Sequence, residues 1–167
     1  MTNQMCKALA NVLNKISASI KGIKMDDKMK ILLISLACAG LILWYGNYRC
    51  NNPGFKDPLI AGKTICKVCD LWSVSHFVFF LVIGYLFPNE IKFAFTLGVI
   101  WEVFEFLVGT KANVPFLSIF YGLSECKSSP HLTGKKQQWI YHEWTDIGMN
   151  LAGLLIGKRL STKYANT

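Results

Sequence analysis

The sequence predicts an all-α integral membrane protein, a four-transmembrane-helix bundle with an N-terminal amphipathic helix. Three observations carry this expectation. Four apolar stretches of helix length recur along the 167 residues. The composition is 52% hydrophobic and only 17% charged, too apolar for an ordinary soluble domain. Apolar residues at spacings of three and four precede the first stretch, set among lysines.

The elements follow in chain order. Residues 1–27 form a basic amphipathic segment in which Met5, Leu9, Val12, Leu13, Ile16, Ile20 and Ile23 alternate with Lys7, Lys15, Lys21 and Lys24. Either this helix anchors at an anionic membrane surface through its lysines, or it packs against the bundle or a partner; the lysines favour the anchor. Residues 28–160 form the membrane domain. Its first span, about 31–46 (ILLISLACAGLILWYG), is uninterrupted and lies too deep, behind six lysines, for a cleavable signal peptide. The second covers about 71–87, and the third, about 91–108, follows a Pro88-Asn89-Glu90 turn that forces an antiparallel pair. The fourth, about 140–157, is more amphipathic and is expected to stop at Lys158 and Arg159, before a polar tail over 161–167. These spans fall short of the ~20 residues of a typical crossing, which suits a thin membrane such as the endoplasmic reticulum if the source is eukaryotic or viral.

Orientation follows from lysine and arginine. Six lysines precede the first span, and with four spans both termini and the 88–92 turn share a side carrying ten basic residues against eight in the two longer loops. Both termini are therefore expected in the cytoplasm, with Trp44, Tyr45, Trp72, Trp139 and Trp144 as an aromatic belt at the opposite interface. Cys50, Cys66, Cys69 and Cys126 then all fall on that lumenal or exoplasmic side, where an even set of four permits two disulfides of undetermined pairing. Cys66 and Cys69 also form a Cys-x-x-Cys, open to redox or zinc use, though no second such pair follows.

Polar residues inside these spans point to one site. Glu102 and Glu105 share a helix face, as do Glu143, Asp146 and Asn150 at i, i+3 and i+7. At 1.5 Å rise per residue, His76 lies about 8 Å into its span, and the two glutamates lie within about two turns of the end of theirs. His76, Glu102, Glu105, Asp146 and Asn150 thus meet at one level and form the candidate catalytic set. Clustered carboxylates in a low dielectric call for a neutralising cation, and Glu102, Glu105, Glu143 and Asp146 are the candidate ligands for calcium, magnesium or manganese. His76 would serve as general acid or base, or as a nucleophile. Each residue also has a structural reading, with Glu102 snorkelling or His76 held in packing. The Gly153–Gly157 strip reads as helix packing, within the bundle or against another copy in an oligomer. His142 would sit at the mouth of the site, and His131 in a polar loop.

The order His76, then Trp101-Glu102-x-x-Glu105, then Asp146-x-x-x-Asn150-x-x-Gly153-x-x-x-Gly157 resembles the core of VanZ-like membrane proteins. It is also similar to the catalytic core of the base-exchange phosphatidylserine synthases. The resemblance covers roughly residues 71–157 and implies a four-helix core acting on lipid head groups or lipid-linked phosphodiesters, with the acidic residues binding a divalent cation. Those synthases are longer, and the three residues between Asp146 and Asn150 match the VanZ-like form better.

The expected function is therefore a membrane-embedded enzyme exchanging or hydrolysing phospholipid head groups. The alternatives are a non-enzymatic scaffold or complex subunit whose polar residues serve helix pairing, and a cation-coupled carrier, against which the absence of an evident inverted repeat argues. The charge of +8 flanks apolar spans without forming an aromatic-interleaved stripe, so the expected basic-surface partner is anionic lipid and not nucleic acid.

Overall fold

The computed structural model describes residues 2–52, 71–110, 114–121 and 144–164, and among these every regular element is helical. In chain order they are α1 (Thr2–Lys21), α2 (Asp27–Asn51), α3 (Leu71–Leu86), α4 (Ile91–Gly109), a 3-10 turn (Pro115–Leu117) running into α5 (Ser118–Tyr121), and α6 (Trp144–Tyr164). One of them, α2, is long and apolar enough to cross a membrane, and most of its surface faces outward. At 25 residues it reaches about 37 Å, more than the ~30 Å hydrocarbon core. The helix outruns the apolar stretch at both ends. Asp27 in its first turn suits the helix dipole and pairs with Lys30 at 3.0 Å, while Asn52 Nδ2 donates to Tyr48 O at 2.7 Å at its C-terminus.

The α3–α4 turn is as tight as its Pro88-Asn89 sequence predicts, with Phe87 N bonded to Ile83 O and Glu90 N to Phe87 O. The last helix departs from expectation. Lys158 and Arg159 end the apolar stretch, yet the helix continues to Tyr164, because lysine and arginine are good helix formers and suit a C-terminal half. Residues 140–143, including Glu143, and with them Trp139, His131, His142, Cys66, Cys69 and Cys126, lie outside the described residues. Cys50, at the far end of α2, is disulfide-bonded.

The principal contact is between α3 and α6, and glycine makes it possible. A Cβ at Gly153 would collide with the backbone of Phe77 and Leu81, one at Gly157 with that of Leu81 and Tyr85, and one at Gly84 with Leu154. The two backbones therefore touch, as small-xxx-small helix pairs do. The Gly153–Gly157 strip is used within the chain. α4 closes over this pair at Gly98, whose Cβ would lie 2.8 Å from the ring of Phe80. Two apolar clusters flank the middle. One joins Leu13, Ile31, Ile83, Leu86, Phe87 and Leu154 near the α3–α4 turn, and the other joins Val108 and Leu117 with Ile42, Leu43 and Phe104 at the opposite end.

Replacing Gly153 or Gly157 with alanine is expected to destabilise the protein by about 1–3 kcal/mol or more, because the added carbon meets backbone that cannot give way. Gly148 on the same helix has open space around it, so Gly148→Ala should instead gain up to about 1 kcal/mol of helix propensity. Thermal unfolding of the three variants in one detergent checks the contrast.

Candidate functional site

Three helices each contribute one buried polar row. On α3, Ser73 and His76 occupy the face that continues to Phe80; on α4, Glu102 and Glu105 continue the row of Ala94 and Gly98; on α6, Asp146 and Asn150 continue to Gly153 and Gly157. The spacings of three and four that suit apolar packing thus carry polar groups at one end of the bundle. Burial is nearly complete. Glu105, Asp146 and Asn150 are each 1% exposed, Glu102 3% and His76 8%.

His76 Nδ1 stands 3.1 Å from Asn150 Oδ1 and 3.3 Å from Glu102 Oε1. Asn150 Oδ1 accepts from Nδ1 in the tautomer that carries its proton there, which leaves Nε2 as the basic nitrogen. Trp72, one turn earlier, sets its ring edge to face with the imidazole at 6.0 Å between centroids. Asn150 is itself confined, since its amide lies where α4 passes at Gly98; a Cβ there would come within 3.2 Å of Asn150 Nδ2. The amide therefore links all three helices.

Ligand-capable atoms of His76, Glu102 and Glu105 lie within 4.8 Å of one another, and this buried group can hold a metal ion. Asp146 is near enough to interact electrostatically with both glutamates. Both carboxylate oxygens of Glu102, and Oε2 of Glu105, are buried without a hydrogen-bond partner among the described residues. Orphaned carboxylate oxygens facing like charges are costly to bury, and a cation is the species whose chemistry fits them.

All five of the expected catalytic residues are brought together, whereas the expected ligand Glu143 lies outside the described residues. Sequence reasoning missed Ser73 and Gly98. Each carried a positional signal, Ser73 one turn before His76 and Gly98 one turn before Glu102, and neither residue type advertises itself.

Glu105→Gln should keep the fold and, in protein stripped with EDTA, raise the thermal midpoint by about 2–4 °C, equivalent to ~1 kcal/mol, because the amide can donate to a facing carboxylate oxygen of Glu102 that has no partner among the described residues. A lowered midpoint would mean that the carboxylate already has a partner. Comparison with family models, curated proteins and solved structures gives no match for this chain.

Proposed function

We propose that this chain is a VanZ-like membrane enzyme that exchanges or hydrolyses the head-group phosphodiester of a phospholipid at a cation-binding site inside a four-span bundle. The observation that carries the reading is the buried His76–Glu102–Glu105 group with its orphaned carboxylate oxygens. Its setting supports a membrane. The outward faces are apolar on every long helix after α1, with Leu33 and Leu41 on α2, Val78 on α3, Ile100, Val103 and Phe106 on α4, and Leu151 and Leu155 on α6 all exposed. Polar inside and apolar outside suits hydrocarbon as the surrounding solvent. Trp44 and Trp144, 64% and 72% exposed, lie toward the same end as the site, as interfacial anchors would. The basic N-terminal region supports a reading with both termini in the cytoplasm and the site toward the lumenal or exoplasmic side.

In this reading Glu102, Glu105 and Asp146 would hold calcium, magnesium or manganese. The cation supplies Lewis acidity toward the lipid phosphate. His76, its Nδ1–H held by Asn150, uses Nε2 to take the proton of the incoming hydroxyl or water. As the new P–O bond forms and the old one breaks, that proton passes to the departing head-group alcohol. The flanking apolar clusters keep bulk water from the pocket except as a reactant.

The test is lipid turnover by purified protein in mixed phospholipid vesicles with each cation and free serine, ethanolamine or choline, products read by mass spectrometry. New head-group species that require metal, fall at least about 100-fold in His76→Ala, and are lost in Glu102→Gln and Asp146→Asn are expected. Folded, metal-free variants beside an equally silent wild type would favour the scaffold reading, in which the polar rows serve helix pairing.

A further inference from the structure

Among the described residues the acidic site draws on α3, α4 and α6, and the described contacts of α1 split its apolar residues into two sets. Leu13 is buried and Ile20 half-buried in the cluster at the α3–α4 turn, and between them Asn14 Oδ1 accepts a 2.6 Å hydrogen bond from the Tyr85 hydroxyl. These contacts fix which side of α1 faces the bundle. Successive residues step about 100° around a helix, so Val12 and Ile16 fall on the adjacent side, one turn apart. They are 54% and 42% exposed. Lys15 and Ser19 lie beyond them and are exposed as well.

Exposed valine and isoleucine beside exposed lysine is the arrangement that a bilayer interface uses. The apolar row continues past the helix in exposed Ile23 and Met25 and reaches Met29 in the first turn of α2. The region carries six lysines against Asp26 and Asp27. Of these lysines, Lys30 is buried and paired with Asp27, while Lys15, Lys24 and Lys28 are exposed. Only residues 22–26 join α1 to α2, a tether of at most ~17 Å, so α1 cannot leave the level at which the candidate span enters the membrane.

We propose that α1 lies in the plane of an anionic phospholipid leaflet, at the end of the molecule away from the acidic site. One side is docked on the Tyr85 end of α3, Val12 and Ile16 enter the acyl boundary, and Lys15, Lys24 and Lys28 sit among the phosphate groups. Apolar burial and charge attraction act on the same helix, which is the combination that makes interfacial binding sensitive to lipid composition. The proposal rests on α2 crossing the bilayer and not on the chemistry assigned to His76 and the glutamates.

Hydrogen exchange of the full chain in nanodiscs, followed by mass spectrometry, tests it. Amides of residues 11–21 should exchange on the order of tenfold more slowly in discs containing phosphatidylglycerol than in phosphatidylcholine alone. High salt should shrink the difference. A Lys15→Glu, Lys24→Glu, Lys28→Glu variant should lose it while matching the wild type in phosphatidylcholine, and the corresponding arginine variant should keep it. Equal protection of α1 in both lipids, or a difference that survives charge reversal, would overturn the proposal and assign that protection to the bundle or to a second copy of the chain. Lipid turnover plays no part in the readout, so an inactive enzyme leaves the result standing.

Discussion

The backbone contact between α3 and α6 is the constraint on which the rest of the structure depends. Three glycines, at 84, 153 and 157, let the two helices approach until main chain meets main chain. At that distance the register is fixed as tightly as the axes, because carbonyls and Cα atoms interlock where longer side chains could slide. His76 precedes Phe77, whose carbonyl abuts Gly153, and Asn150 lies one turn before Gly153. The contact that clamps the helices therefore also aligns imidazole and amide across the interface. α4 completes the pocket by crossing where Gly98 leaves room for both Phe80 and Asn150.

Polarity follows from that geometry in an inverted sense. Between its two apolar clusters the interior holds Ser73, His76, two glutamates, an aspartate and an asparagine, while leucine, isoleucine, valine and phenylalanine also cover much of the outside. The same acids obscure the membrane signal. α2 passes a test of length and apolarity, α3 is apolar but only 16 residues long, and α4 carries Lys92, Glu102 and Glu105 among its 19 residues. On the four-span reading, Glu102 and Glu105 are among the residues that make α4 look least like a span, whereas in α6 Lys158, Arg159 and Lys163 weigh more than Asp146.

Much of this was legible in the sequence. The apolar runs located α2, α3, α4 and most of α6, and the periods of three and four grouped the polar residues correctly, because helix geometry turns spacing into shared faces. Other features depend on a partner that spacing cannot name. Gly84 and Gly98 look like ordinary helix glycines until Leu154 and Asn150 stand opposite them. The hydrogen bond from Tyr85 to Asn14 joins residues 71 apart, and it shows that part of the amphipathic face of α1 belongs to the bundle. The extent of α6 beyond Gly157 was hidden for another reason: apolarity marks where hydrocarbon would end, whereas the helix ends where its hydrogen bonds do.

The depth of the site has its own electrostatic logic. His76 is the sixth residue of α3 and Asp146 the third of α6, so both helices bring their N-termini toward the carboxylates, each with a partial positive charge of about half a unit. That compensation fades within a turn. It serves Asp146, in the first turn of α6, better than it serves the glutamates, which ride on α4 near its opposite, partially negative end. His76 Nδ1 bonds Asn150 Oδ1 at 3.1 Å and stands 3.3 Å from Glu102 Oε1, an oxygen left without a hydrogen bond among the described residues. Helix dipoles thus do least for Glu102 and Glu105, three of whose four carboxylate oxygens have no hydrogen-bond partner among the described residues. A divalent charge bound between them would act where the fold's own compensation runs out, and the same charge would meet a lipid phosphate entering from that end.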